Sequence, residues 1–285
     1  MQDGVRLYFR KVGSGSKAVI IPNGMYLQND FRHLYDWRTL IFYDVRNRGL
    51  SDQVSDGSKL ARGIQQDVDD LEALRRHFGI EPADLIGHSY IGLMVGLYAM
   101  KYPAYVGRVV QISPMQPDPA KQYPGHLAYA DATSAAVMAE IGHMMQQPPS
   151  GDPEEVCRKF WLVLRLIYVA DPKDADRIDW GRCELPNERN FMQYWTAHIL
   201  PSIQSLNMTS EEMAKAKAPV LVVHGMKDRS APYGGGRDWA MRMADARLVT
   251  VENAGHAPWI EAPELVFGSI KAFFDGAWPE VAKIV

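Results

Sequence analysis

The segment ADLIGHSYIGLMVGLYAM, residues 83–100, predicts a short buried strand that stops at a serine and continues as an apolar helix. Ser89 has Gly87 two positions before it and Gly92 three positions after it. In the motif G-x-S-x-G, small residues let a strained strand-to-helix turn raise the serine Oγ above a sheet. Ile91 occupies the usual place of the second glycine, so the local pattern fits either a catalytic turn or an ordinary turn with a serine helix cap.

Strand and helix patterns alternate on both sides of this segment. Short apolar runs that end in polar loops occur at residues 17–24 (KAVIIPNG), 38–44 (RTLIFYD) and 107–114 (GRVVQISP). Residues 60–78 instead place apolar side chains three and four positions apart, which is typical of an amphipathic helix. Strands separated by helices predict right-handed βαβ crossovers, and therefore a mainly parallel, doubly wound α/β sheet covered on both faces.

The pattern changes between residues 115 and 217. Helix-like segments joined by Pro-rich turns replace the β-branched strands there, and the strand pattern resumes at residue 218 with APVLVVHGMKD. We therefore expect an α/β core formed by residues 1–114 and 218–285. Residues 115–217 are predicted to form a helical cap inserted into that core.

Composition restricts the partners of this chain of 285 residues. Apolar residues make up 47% and charged residues 23%, the balance of a folded globular protein. The formal net charge of −3 argues against a polyanion-binding surface, so nucleic acid is not an expected partner. No stretch reaches the roughly 18 apolar residues of a membrane span, and the amino-terminal residues lack the apolar region of a leader. We expect a cytoplasmic protein with a small-molecule substrate.

The cysteines and the possible metal ligands predict neither cross-links nor bound ions. Cys157 and Cys183 are too few for a disulfide framework and lack the spacing of a zinc site. We predict that both are reduced. Because His, Asp and Glu do not cluster at ligand spacings, neither a metal nor a cofactor is expected.

A serine hydroxyl is a weak nucleophile unless a base removes its proton and an acid orients that base. His256 lies in VENAGHAPWIEAPE, between the last predicted strand and the last helix, and Asp228 follows the strand VLVVHG. Singly, either residue could belong to an ordinary turn or cap. Because both follow strands of one parallel sheet, we expect them to meet Ser89 at the same edge as a Ser–Asp–His triad.

These motifs resemble those of the α/β-hydrolase superfamily, especially its capped esterases and proline iminopeptidase-like members. The resemblance covers nearly the whole chain, through IIPNG, FYDVRNRGLSD, IGHSYIG, VLVVHGMKDRSAP and NAGHAPWIEAPE. It implies that Ser89 is the nucleophile, that His256 is first general base and then general acid, and that Asp228 orients His256. It also implies an oxyanion hole formed by the backbone N–H groups of Met25 and Tyr90.

The predicted cap is rich in aromatic residues and methionine, which suits a hydrophobic or aromatic substrate better than a sugar or a phosphate. We expect the substrate pocket to contain Trp161 and Trp195 of the cap. Asn23, Gly24 and Trp259 of the core are expected to complete it.

Two other groups of residues accompany the predicted triad. His88 and His224 stand at strand ends, where structural support of the serine turn and of the acid loop is the favoured interpretation. Glu184, Glu188 and Arg189 lie in the predicted cap. Iminopeptidase-like relatives use cap carboxylates to bind the free amino terminus of a substrate, whereas solvated surface charges are the simpler interpretation.

The favoured hypothesis is a serine hydrolase that cleaves carboxylic esters through an acyl-enzyme on Ser89. An aminopeptidase that removes an amino-terminal proline is the second hypothesis. A non-hydrolytic lyase or a ligand receptor on the same fold is the third, because one fold supports many functions.

Overall fold

A sheet of seven strands runs through the part of the protein that the structure describes. The computed structural model describes residues 1–22, 27–146, 152–179, 183 and 187–285. The strands are β1 Phe9–Val12, β2 Ala18–Pro22, β3 Thr39–Tyr43, β4 Ala83–His88, β5 Val106–Ile112, β6 Val220–Gly225 and β7 Ala246–Val251. Their order across the sheet is β1-β3-β2-β4-β5-β6-β7. β1 pairs antiparallel with β3 and the other pairs are parallel, which confirms the predicted mainly parallel α/β sheet.

Helices connect the parallel strands and cover both faces of the sheet. The described helices are α1 Ile64–His77, α2 Tyr90–Lys101, α3 Ala132–Gln146, α4 Pro153–Leu164, α5 Asn187–Tyr194, α6 Leu200–Gln204, α7 Ser210–Met213, α8 Tyr233–Arg242, α9 Pro258–Glu261 and α10 Pro263–Phe274. A π-helical turn, Trp195–Ile199, joins α5 to α6. Within the described residues, no helix is both long and apolar enough to cross a membrane.

The alternation of side chains along each strand divides the apolar core into two layers. In β2, Ile20 belongs to the layer that α1, α2 and α8 cover. Val19 and Ile21, on either side of it, belong to the opposite layer, which α10 covers through Val266 and Ile270. Because both faces are buried, the central strands are apolar at nearly every position, which is why the sequence predicted them well.

The segment between β5 and β6 contains α3 to α7, and its described parts hold no strand. This agrees with the predicted helical content. Its division from the core as a cap, residues 115–217, stays a prediction about domains. Polar contacts join it to α1, where the Tyr194 hydroxyl donates to Asp67 Oδ1 at 3.1 Å and Ser202 Oγ accepts from the Ile64 N–H at 2.9 Å.

A second set of polar contacts connects this helical segment with the two loops that carry the predicted acid and base. Arg229 binds the Val169 carbonyl at 2.5 Å and pairs with Asp131 at 2.6 Å. Glu261 accepts from the N–H groups of Ala170 and Gly255, both at 2.7 Å. Arg229, next to Asp228, and Glu261, which is bonded to the residue before His256, therefore hold the same short stretch of chain.

The prediction that both cysteines are reduced is wrong. Cys157 of α4 forms a disulfide with Cys183, with their Cα atoms 5.6 Å apart. The cysteines are 26 positions apart in the sequence, and their proximity in three dimensions is not revealed by the number and spacing of cysteines. Since disulfides persist mainly in oxidising compartments, the bond weighs against the predicted cytoplasmic location.

Candidate active site

Ser89 occupies a strained turn between β4 and α2. Its backbone has φ 60° and ψ −128°, a conformation that non-glycine residues rarely adopt. Hydrogen bonds hold it there: the Ser89 N–H donates to the Ile112 carbonyl, and the Ser89 carbonyl accepts from the Met115 N–H, both at 3.0 Å. The serine is thus fixed at the carboxyl end of the sheet by the end of the neighbouring strand.

Two glycines make this turn sterically possible. A methyl group on Gly87 would lie 2.4 Å from the Ile91 carbonyl oxygen, and one on Gly92 would lie 2.9 Å from Pro114 Cβ. The Ile91 side chain is fully buried in the core layer beside α2. Gly92, three positions after the serine, therefore leaves room for the chain that follows β5 to approach closely. Ile91 is a core residue.

Asp228 and His256 form a completely buried hydrogen-bonded pair. His256 Nδ1 lies 2.7 Å from Asp228 Oδ2, and neither side chain is exposed. Since a carboxylate accepts, Nδ1 carries the proton and Nε2 is left as a basic nitrogen. Nε2 is buried without a hydrogen-bond partner among the described residues. Ser89 and His256 are not hydrogen-bonded to each other here, a contact that many hydrolases form only with substrate bound.

The Asp228 carboxylate accepts four hydrogen bonds. Oδ1 accepts from the N–H groups of Ser230 and Ala231, each at 2.8 Å. Oδ2 accepts from His256 Nδ1 and from His224 Nε2, which lies at 3.1 Å. Burial alone raises the pKa of Asp228, but attraction to His256 and the two histidine hydrogen bonds outweigh it and hold the pKa below its ordinary value. Asp228 is therefore an ionised acid able to stabilise an imidazolium.

His88 connects the serine turn with the histidine loop. Its Nε2 donates to the His256 carbonyl at 2.9 Å, and the two imidazole rings lie 4.5 Å apart. Burial, aided by repulsion from His256, lowers the pKa of His88 well below its ordinary value, so this ring stays neutral. Tyr168 packs edge-on against the His256 ring at 4.6 Å. The His256 ring is thus held between aromatic rings of the core and the helical segment.

Trp259 packs against His88 behind the predicted site. Its ring meets the His88 ring edge-on at 4.8 Å, its indole N–H donates to Asp30 Oδ2 at 2.9 Å, and the residue is 3% exposed. Trp259 is not among the described residues that line the cavity beside Ser89, and its expected place in the pocket stays a prediction. A buried tryptophan after the histidine loop looks the same in sequence whether it faces substrate or packs behind the site.

A cavity of about 660 Å³ opens beside Ser89 and Tyr90. Trp161 and Trp195, both expected in the pocket, are among the residues that line it. The described residues that line it are Arg48, Ser89, Tyr90, Met115, Gln116, Pro119, Ala120, Phe160, Trp161, Leu164, Tyr168, Phe191, Met192, Trp195, Leu200, Ile203, Gln204, Ser230, Ala231 and Pro232. Most of these side chains are apolar, so the cavity suits an apolar ligand.

Among the described residues that line the cavity, Arg48 is the only charged one. Its guanidinium lies 4.2 Å from the centre of the Phe191 ring and 5.9 Å from that of Trp161. The described lining contains no carboxylate. The side chains of Glu184, Glu188 and Arg189 lie outside the described residues, so their predicted choice between amine binding and surface charge stays open.

The predicted oxyanion hole is only partly within the described residues. Tyr90 is the first residue of α2, and the first N–H groups of a helix can donate to a group outside it. Met25, Asn23 and Gly24 lie outside the described residues, and their predicted roles stay predictions. Sequence reasoning missed Tyr168 and Arg48, because their approach to the site depends on how distant loops fold back and on no local motif.

The chain matches the model of the alpha/beta hydrolase family over residues 19–268. It belongs to that family. The mainly parallel sheet, the serine turn after a central strand and the order of Ser89, Asp228 and His256 along the chain are in keeping with this membership.

Individual relatives are distant but extend over the whole chain. It is 24% identical to the proline iminopeptidase PfmaB of Pestalotiopsis fici, over 96% of this chain and 97% of that protein. It is also 24% identical to the bifunctional esterase/perhydrolase DCH of Acinetobacter calcoaceticus, over 95% and 97%. A solved meta-cleavage product hydrolase from Pseudomonas fluorescens IP01 superimposes with a TM-score of 0.69 at 18% identity, covering 95% of each chain.

Proposed function

We propose that this hydrolase cleaves carboxylic esters with a hydrophobic or aromatic group, using Ser89 as its nucleophile. The observation that carries the proposal is the state of His256: Nδ1 is bonded to the ionised Asp228, and Nε2 is buried without a partner among the described residues. An imidazole held this way is ready to accept a proton. The strained Ser89 lies at the edge of the apolar cavity, where a substrate carbonyl can reach it.

The proposed reaction proceeds through an acyl-enzyme. His256 Nε2 takes the Ser89 proton while Oγ bonds to the carbonyl carbon, and the N–H groups of Tyr90 and Met25 stabilise the resulting oxyanion. The imidazolium then protonates the alkoxide oxygen, and the alcohol leaves. Water attacks the acyl-enzyme, loses a proton to His256, and releases the carboxylic acid as that proton returns to Ser89. Asp228 stays ionised throughout and stabilises the imidazolium.

An aminopeptidase acting on an amino-terminal proline is the second candidate, because a proline iminopeptidase is among the full-length relatives. The cavity favours the ester. The described lining is mostly apolar and suits a hydrophobic ester group, whereas the side chains of Glu184 and Glu188, which the alternative would use to bind an amine, lie outside the described residues. A non-hydrolytic lyase or a ligand receptor on the same fold makes no acyl-enzyme, so a wild type that hydrolyses neither esters nor anilides would separate it from both hydrolases.

The test compares p-nitrophenyl acyl esters with aminoacyl p-nitroanilides, on the wild type and on Ser89→Ala. We expect larger kcat/KM for aromatic and medium-chain esters, and a loss of at least about 1,000-fold in Ser89→Ala because its nucleophile is gone. A fluorophosphonate probe should label the wild type and not the variant. Ser55→Ala, at an exposed serine, is the matched control. Faster turnover of the anilides, or an active Ser89→Ala enzyme, would contradict the proposal.

A further inference from the structure

His224 is a second imidazole on the predicted catalytic acid. It lies near the end of β6, four residues before Asp228, and is completely buried. Its Nε2 lies 3.1 Å from Asp228 Oδ2 and 3.2 Å from the Ala231 carbonyl oxygen. Because both neighbours are acceptors, Nε2 must carry a proton and share it between them.

The other nitrogen of His224 fixes the state of the ring. Nδ1 is buried with no hydrogen-bond partner among the described residues. A methyl group on Gly236 of α8 would lie 2.2 Å from it, so the helix packs against this edge of the imidazole. A proton on Nδ1 would be a buried donor without an acceptor, which is costly. The geometry therefore requires the neutral tautomer with its proton on Nε2.

The groups that face His224 come from four elements. Asp228 and Ala231 face it from the loop after β6, and Tyr233 of α8 packs edge-on with ring centres 5.8 Å apart. The Tyr233 hydroxyl is engaged with Thr250 Oγ1 at 2.5 Å. His88 at the end of β4 and His256 in the loop after β7 are the other titratable groups nearby, and both interact with Asp228. Of these groups, Asp228 is the anion.

We propose that His224 is a positioning residue for the triad. Together with His256, it holds the Asp228 carboxylate between two imidazoles. This inference rests on the proposed function, since it assigns His224 a role in the hydrolase reaction. His224 donates to the same oxygen, Oδ2, that receives His256 Nδ1. The second donor helps keep a fully buried carboxylate ionised and fixes the direction from which Oδ2 meets His256.

The direct test removes the donor and then restores it. His224→Leu keeps the side chain apolar and buried but cannot donate, whereas the side-chain amide of His224→Gln reaches the position of Nε2. In His224→Leu we expect kcat to fall roughly 10- to 100-fold with little change in KM, as for other partners of a reacting histidine. The low-pH limb of the kcat/KM profile should move to higher pH, because the less solvated Asp228 attracts the imidazolium more strongly.

The two variants together distinguish positioning from packing. His224→Gln should recover most of kcat and the wild-type pH profile. The inference is overturned if folded His224→Leu keeps the wild-type kcat and pH profile, or if folded His224→Gln is as impaired as His224→Leu.

A measurement on the wild type covers the case in which the variants do not fold. Nitrogen-15 NMR of histidine-labelled protein, assigned by comparison with His88 and His256 in the same spectra, should show His224 as the Nε2–H tautomer. A proton on Nδ1 would overturn the inference. Because this readout needs no substrate, a wild type that hydrolyses no ester counts against the proposed function while the tautomer still tests the two-imidazole arrangement.

Discussion

At the scale of single residues, the protein stabilises some buried carboxylates and leaves others poorly solvated. Asp228 receives four donors and stays ionised. Asp67 of α1 is also fully buried, but Tyr194 donates to Oδ1 while Oδ2 has no partner among the described residues. Burial, and then repulsion from Asp70, raise the pKa of Asp67 well above its ordinary value of 3.8. The buried carboxylate at this position therefore destabilises the fold at neutral pH.

Replacing Asp67 by asparagine should increase stability at neutral pH. Because the folded pKa lies above the unfolded value of 3.8, the carboxyl favours folding only while it is protonated, and the cost appears as the pH rises above 3.8. We expect Asp67→Asn to raise the unfolding free energy by about 1 kcal/mol at pH 7, and by less near pH 4, in urea titrations. Asp69→Asn is the control on the same helix: it removes partners of Lys101 and Arg62 and should not stabilise. A less stable Asp67→Asn at pH 7 would refute this account.

At the scale of elements, Glu72 ties α1 to α2. It accepts from Arg75 at 2.8 Å and from the Tyr98 hydroxyl of α2 at 2.7 Å. Burial alone raises the pKa of Glu72, but hydrogen bonds from Arg75, Tyr98 and Arg76 outweigh it and lower the pKa to about 2. The helix pair thus depends on an ionised carboxylate.

Acid should weaken this tie in a defined range. Because the folded pKa lies below the unfolded one, the stabilisation is complete above about pH 4.5 and is lost as the pH falls towards about 2. Glu72→Gln should therefore lower the melting temperature most at neutral pH, with the gap from wild type narrowing below about pH 4.5. Glu211→Gln, at an exposed glutamate of α7, is the control and should track the wild type. A gap that stays constant down to pH 3 would count against this assignment.

The disulfide restrains the walls of the cavity. Cys157 lies in α4, which also carries the cavity residues Phe160 and Trp161, and Cys183 precedes α5, which carries Phe191. The bond therefore limits how far these two aromatic walls can separate.

Loss of the bond should affect stability and substrate fit together. For its 26-residue separation, chain entropy predicts a loss of about 3.5 kcal/mol in Cys157→Ser. KM should rise more for bulky aromatic esters than for acetate esters, because only the large substrates need both walls. Cys183→Ser should match Cys157→Ser, and the double variant should add nothing further. Wild-type melting and KM values that are unchanged by a thiol reductant would contradict this expectation.

At the scale of the whole molecule, parallel strands bring distant residues to one edge. Ser89 follows β4, Asp228 follows β6 and His256 follows β7. The sequence could predict these positions because buried strands are apolar at both faces and because each polar candidate directly follows one. It could also predict the helical segment after β5, whose pattern differs from that of the core.

What the sequence could not predict depends on distances that are set only in three dimensions. The approach of Cys157 to Cys183 and of Tyr168 to His256 joins segments that share no local pattern. The place of Trp259 beside the histidine loop does not say whether its ring points toward the cavity or toward His88. His224 was expected to support the acid loop, but the double donation onto Asp228 Oδ2 needs the orientation of both rings.

The hydrogen bonds that hold residues 169–171 have a consequence for experiments that exchange the helical segment with that of a relative. Arg229, next to Asp228, and Glu261, which also binds the N–H before His256, both hold this stretch. A chimera whose boundary falls within residues 169–171 would lose these contacts with the loops of Asp228 and His256. It would also replace residues of the helical segment that line the cavity. Grafts that transfer residues 169–171 together with Arg229 and Glu261 would keep these contacts while the walls of the cavity are exchanged.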